Sequence, residues 1–185
     1  MLEGKKIRLR PLKIQDLEKT KIWRNNIELI INTQGIRFPK TVEIETIWFE
    51  HVLHDTSNKN IYFGIEEMES NELIGLIQIN NIDYISRIAN WGLILGDHKK
   101  RKSNASFEAA KLLFNYAFNI LNLNKLTGYV VAFNKPAIIF NQLVGEYKLE
   151  GTLKNHNYYN NEYHDVLIFS FFKEDYIKDQ GQKSQ

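Results

Sequence analysis

Trp91-Gly92-Leu93-Ile94-Leu95-Gly96-Asp97-His98-Lys99-Lys100-Arg101-Lys102-Ser103-Asn104-Ala105-Ser106-Phe107-Glu108-Ala109-Ala110 is the stretch around which the rest of the chain can be organised. It begins as a short apolar run of the kind a buried strand uses. It ends as a helix: Ala109, Ala110, Leu113, Ala117 and Leu121 recur with a period near 3.6 and make one apolar stripe. Between the two stand four consecutive cations, Lys99 to Lys102. A helix start carries unpaired N–H groups and a partial positive charge, so cations placed just ahead of it make a binding place for phosphate. The plain alternative is a solvated basic loop capped by Ser103 or Asn104. The position of the run, between strand and helix, favours the anion site. Residues 91 to 121 are therefore expected to hold an anionic ligand.

Upstream, Ile7-Arg8-Leu9-Arg10 alternates apolar and basic residues and stops at Pro11, as an edge strand would. Leu17, Ile22 and Trp23 have helical spacing over 17–25. The stretch 32–41, with Gly35 and Pro39, reads as a loop. Thr41 is the expected N-cap of a helix whose apolar positions are Ile44, Ile47, Trp48 and Val52. Three strands follow as a meander, at 60–65, 73–82 and 88–95, rich in β-branched and aromatic residues. Downstream of the 104–121 helix come a strand at 127–133, a helix at 136–144, and strands at 148–154 and 164–172. A polar hairpin around Asn160-Asn161 joins the last two. The order predicts an α/β (α+β) domain over 1–177, with a mixed, mostly antiparallel sheet flanked by helices. Residues 178–185 are polar and read as a disordered tail.

Composition narrows the function. The chain has 185 residues and a net charge of +2, from 24 basic and 22 acidic side chains. That balance argues against nucleic acid as a partner, since such domains carry a strongly basic stripe. There is no cysteine, which excludes disulfides and thiolate metal sites. His51 and His54 are spaced as neighbours on one helix, without the further ligands a zinc site needs, so no metal is expected. The first residues lack the apolar run of a signal peptide, and no stretch approaches the ~18 apolar residues of a membrane span. A cytoplasmic protein without membrane contact is the expectation.

Several stretches, in this order and spacing, resemble one family. They are Ile7-Arg8-Leu9-Arg10-Pro11-Leu12 with Asp16-Leu17 and Trp23-Arg24-Asn25, then Leu73-Ile74-Gly75 with Ile82-Asp83. Ala89 to Leu95, Asn134 before Pro136-Ala137-Ile138, and Leu149-Glu150-Gly151 before Asp165-Val166 complete the set. The chain resembles the GNAT N-acetyltransferases, and more narrowly the branch related to ribosomal-protein N-terminal acetyltransferases (RimJ/RimL type). The resemblance implies the GNAT acyl-CoA N-acyltransferase fold and acetyl-CoA as co-substrate. It also implies an amine acceptor, either a small molecule (polyamines, amino acids and nucleotide-linked amino sugars, the last preferred, among them) or a protein N-terminus, and allows a homodimer.

By the same resemblance, the pantetheine arm pairs with the strand at Leu93, Ile94 and Leu95. The pyrophosphate loop falls on Arg101, Lys102, Ser103, Asn104, Ala105 and Ser106, with Asn104 and Ser106 where the family has glycine or alanine. Asn134 is the coenzyme-contacting asparagine. The family's catalytic tyrosine and glutamate fall on Asn141 and Asn90, neither of which can transfer a proton near neutral pH. Tyr147, Tyr84, His98 and His164 are the available substitutes. Trp23, Arg24 and Asn25 fall where this branch builds its acceptor pocket, whereas Trp48 reads as core. Glu45 and Glu50 read as surface charges. The alternative to an enzyme is a non-catalytic binding module of the same fold.

Overall fold

The computed structural model describes residues 1–35, 37–96 and 104–182. In chain order its elements are β1 (Leu2–Glu3), β2 (Ile7–Pro11), α1 (Leu17–Arg24), α2 (Ile27–Asn32), α3 (Val42–Leu53), β3 (Ile61–Glu67), β4 (Leu73–Asp83) and β5 (Ile88–Leu95). Then come α4 (Ala105–Asn115), β6 (Lys125–Val131), α5 (Lys135–Val144), β7 (Lys148–Tyr159), β8 (Glu162–Phe172) and α6 (Lys173–Gln182). The strands form one sheet in the order β1-β2-β3-β4-β5-β6-β8-β7. Every neighbouring pair is antiparallel except β5 and β6. Parallel neighbours need a crossover, and α4, with a π-helical turn at Tyr116–Ile120, belongs to it.

The alternation of side chains along each strand divides the core in two. On one face Ile77, Ile79, Ala89, Trp91, Leu126 and Phe171 pack with the α4 stripe of Ala109, Ala110, Leu113 and Phe114. On the other, Leu76 and Tyr62 pack with Leu12, Trp23, Trp48 and Phe49. Each large apolar side chain buried this way stabilises the fold by about 1.5–3 kcal/mol. An ionic clamp sits beneath α1. Arg10 Nη1 and Nη2 reach Asp16 at 2.7 and 2.9 Å while its Nε binds Glu66, which Arg8 also holds. The clamp joins the start of α1 to the centre of β2 and β3.

The structure corrects several expectations. The strand at Ile7–Arg10 is not an edge, because β1 lies outside it. Helix α2 was not legible: Ile27 to Ile31 is a short apolar run without a 3.6 period, and what starts it is Asn26, whose Oδ1 accepts from the N–H of Glu28 and Leu29. Thr41 does cap α3, accepting from Ile44 N–H at 3.3 Å. The inward side of that helix, however, is Glu45 and Phe49, while Ile44 and Ile47 are 52% and 68% exposed. The expected tail begins inside α6, and residues 178–182 continue that helix. It is held by Tyr176 against Phe118 and by Lys148 Nζ, 3.0 Å from Asp175.

Candidate active site

The site begins where two strands part. β5 pairs with β4 along its length, from Ile88 to Leu95. With β6 it shares only the rungs Ile88↔Lys125, Ala89↔Leu126 and Asn90↔Thr127. Beyond Asn90 and Thr127 the strands diverge into a fork. The Trp91 side chain lies in the angle, and Gly128 makes room for it: a Cβ there would stand 3.0 Å from Trp91 Nε1. Phe114, Phe140 and Phe171 hold the indole from the other sides. The edge of β5 over residues 91–95 therefore offers backbone N–H and C=O groups that β6 does not use. An extended ligand bearing amides can pair with such an edge as an added strand would.

Leu93, Ile94 and Leu95 all lie on this edge. Arg101, Lys102 and Ser103, with His98 and the other cations of the loop, lie outside the described residues. Asn104 opens α4 with φ −73°, so its backbone does not need glycine. Ala105 is buried and Ser106 half-buried in the first turn of α4. At the other end of the fork, Asn134 is already engaged: its Oδ1 accepts from Ala137 N–H at 3.2 Å and its Nδ2 donates to Asn32 O at 3.1 Å. The asparagine thus starts α5 and ties it to α2. Asn141 is buried in α5 and donates to Ala137 O at 2.8 Å. Its Oδ1, like Trp91 Nε1, is buried with no hydrogen-bond partner among the described residues.

The opposite face of the sheet carries a polar row. Strand register places Asn80, Asn90, Thr127 and Ser170 side by side, with Tyr62 and Gln78 two rungs along on the same face. Burial and nearby Asp55 raise the Tyr62 hydroxyl above its usual pKa. Asn80 Oδ1 is buried and without a partner among the described residues. Thr127, Ser170, Gln78 and Asn80 had not been singled out in the sequence. The usable signal was Phe169-Ser170-Phe171, one hydroxyl on the alternate face of an apolar strand.

Helices α1 and α3 close that face. Trp48 packs edge-on to Tyr62 at 6.4 Å, and the Arg24 guanidinium lies 3.5 Å from the Trp48 ring centroid. Arg24 Nε also binds Glu45 Oε2 at 2.7 Å. Glu45 is fully buried rather than a surface charge, and its Oε1 has no hydrogen-bond partner among the described residues. Asn25 pins the residue-40 loop, exchanging hydrogen bonds with the Lys40 backbone. Trp23 lies against Gly96, the last described residue before the basic loop, and leaves no space for a side chain there. Among the other candidates, Tyr84 is spent on Asn58 O in a neighbouring loop, and His164 on Tyr159 O across the β7–β8 hairpin. Tyr147 is half-buried against Phe169.

Residues 9–168 match the family model described as an acetyltransferase (GNAT) domain. The spermidine N(1)-acetyltransferase of Escherichia coli strain K12 is 26% identical over 179 residues, covering 97% of this chain and 92% of that protein. A crystal structure of spermidine N-acetyltransferase from Vibrio cholerae in complex with CoA and spermine superposes with a TM-score of 0.84. It covers 94% of this chain and 99% of that one, and at 23% identity it bears on the fold. A dodecameric structure of the Vibrio cholerae protein has a TM-score of 0.77 and 26% identity, covering 94% and 97% of the two chains.

Proposed function

The chain belongs to the GNAT acetyltransferase family, and from that premise we propose that it transfers acetyl from acetyl-CoA to a primary amine of a polyamine, with spermidine as the leading acceptor. The observation that carries the reading is the fork between β5 and β6 after the Asn90–Thr127 rung. Among the acceptors that the resemblance implied, the spermidine acetyltransferases among the relatives favour a polyamine over an amino sugar or a protein N-terminus. They likewise move the chain away from the RimJ/RimL branch.

The residues at the fork fit an acyl-CoA. The free edge of 91–95 suits its two amides, and Trp91 and Asn141 each keep a hydrogen-bonding atom without a partner among the described residues. When bound, acetyl-CoA supplies a thioester whose carbonyl carbon an amine can attack. The backbone N–H groups near Leu93 to Leu95 would face negative charge developing on the carbonyl oxygen. The polar row of Tyr62, Gln78, Asn80 and Asn90 would receive the amine on the other face. Holding the two reactants in attack geometry is the larger part of such catalysis, since orientation alone can account for about 7–11 kcal/mol of a barrier. A copy-to-copy surface belongs to the same reading. Ile44 and Ile47 expose one apolar side of α3, and a relative of this fold assembles as a dodecamer.

Two measurements test the proposal. Acetyl-CoA at saturating concentration should raise the melting temperature, and thiol release should follow on adding spermidine. A melting temperature unmoved at millimolar acetyl-CoA, with no thiol release, would count for the non-catalytic module. Acetylation of a peptide N-terminus or amino-sugar nucleotide but not of spermidine would refute the acceptor.

A further inference from the structure

We propose that Thr127, Ser170 and Glu150 form a one-way hydrogen-bonded relay that carries the acceptor amine's proton out of the fork. The inference rests on the acetyltransferase reading and supplies a route that Asn90 cannot, an amide being no base near neutral pH. Thr127 stands across from Asn90 at the last shared rung of β5 and β6. Its Oγ1 is 3.2 Å from Ser170 Oγ, and Ser170 Oγ donates to Glu150 Oε2 at 2.5 Å. Lys125 Nζ holds that same carboxylate oxygen at 3.1 Å.

The direction follows from counting protons. Ser170 has one hydroxyl proton and gives it to Glu150, so its oxygen accepts from Thr127. Thr127 therefore spends its own proton on Ser170 and keeps its lone pairs for a donor in the fork. Burial isolates the path: Ser170 is fully buried and Thr127 is 8% exposed, whereas about a third of the Glu150 side chain is open to water. Protons thus pass between the hydroxyls and leave at the carboxylate. Glu150 is also the unpaired residue of a β-bulge between Leu149 and Gly151, a device that re-aims side chains next to active sites. The hydrogen bond from Ser170, with Lys125 beside it and against a smaller opposing effect of burial, holds Glu150 below the usual carboxylate range, so it is ionised and able to receive.

In the step itself the amine nitrogen bonds to the thioester carbon, and the carbon–sulfur bond breaks with its electron pair on sulfur. The nitrogen's proton goes to Thr127 Oγ1 as that of Thr127 goes to Ser170 and that of Ser170 to Glu150 Oε2. Glu150 then releases a proton to water, and the thiolate takes one from water. Thr127 is the catalytic residue, while Ser170 and Glu150 are positioning residues that act through it.

The test is the single-turnover rate of acetyl transfer from acetyl-CoA to spermidine. Thr127→Val, nearly isosteric, should lower the rate about 100-fold, at the low end of what general base catalysis contributes, with little change in KM. Thr127→Ser should restore it to within about threefold. Glu150→Gln should lower the rate similarly and remove, from the acid side of the pH–rate profile, the step that protonation of Glu150 adds in the parent to the protonation of the amine itself. Full activity in Thr127→Val, equal loss in Thr127→Ser, or an unchanged acid limb in Glu150→Gln would each overturn the relay. Melting temperatures check that the variants fold, and a Ser170→Ala variant that unfolds leaves the two Thr127 variants and Glu150→Gln to decide. Failure of the parent chain on spermidine but success on another amine refutes the acceptor, and the same variants are then compared on that amine. Failure on every amine overturns both readings.

Discussion

Asn141 is a side chain whose two ends have different fates. Its amide N–H closes onto the helix, while its carbonyl is buried without a partner among the described residues. Leaving a buried acceptor unsatisfied costs about 1–3 kcal/mol. Asn141→Leu should therefore raise the stability of the free protein by about 1 kcal/mol, a melting-point rise of roughly 2–4 °C for a chain of this size. The same change should shrink the rise that acetyl-CoA produces, if the carbonyl serves the ligand. Scanning calorimetry with and without acetyl-CoA reads both, and a less stable free protein would contradict the argument. Arg24 presents the opposite case, because it neutralises the fully buried Glu45. Arg24→Ala strands that carboxylate and should cost about 3 kcal/mol, read from urea unfolding at neutral pH.

At the scale of elements, position matters more than identity. Strands β5 and β6 are neighbours only through their first rungs because α4 carries the chain across and Trp91 then occupies the angle. On the acceptor side, the Arg10 clamp fixes α1 to β2 and β3. The Arg10 guanidinium is strengthened as a cation chiefly by Asp16 and also by Glu66, against the opposing effect of burial. Arg10→Ala strips buried Asp16 of its ion pair, leaves buried Glu66 to Arg8 alone, and should destabilise by about 3–5 kcal/mol. A loss below about 1 kcal/mol would mean the clamp behaves as an exposed pair. The run of four cations ahead of α4 makes a separate prediction from its charge alone. Replacing Lys100, Arg101 and Lys102 by alanine should weaken CoA binding about tenfold by calorimetric titration, with the melting temperature of the free protein unchanged. Unaltered affinity would reduce the run to solvated surface.

For the whole molecule, the carboxylates set the response to acid. Burial works against charge on Glu66, but Arg10 and Arg8 outweigh it and hold its pKa below the usual value. Hydrogen bonds from Ser57 and Asn60 pull Asp55 down to about 2 from 3.8. Groups whose pKa is depressed by folding stabilise the native state above their unfolded pKa, and that contribution is lost as pH falls through the folded value. Stability should thus be level near neutrality and decline from about pH 4.5 towards 2, and Glu66→Gln should flatten the upper part of that decline. Urea midpoints across this range decide it. Ile47→Glu should shift sedimentation towards smaller species if α3 lies between copies. Among the described residues no helix is long and apolar enough to cross a membrane.

The sequence by itself determined the meander, the α4 stripe and the family, because period-2 and period-3.6 patterns and the spacing of Gly75, Asn134 and Pro136 are local properties. It missed α2, which rests on one cap, and it grouped Ile44 and Ile47 with Trp48 and Val52 as one apolar series, because a short helix with apolar residues on several sides does not state which side meets the sheet. The orientation of α3, the pairing of Glu45 with Arg24 and the alignment of Thr127 with Ser170 and Glu150 were decided by tertiary structure alone. These residues are tens of positions apart, and strand order and register bring them together.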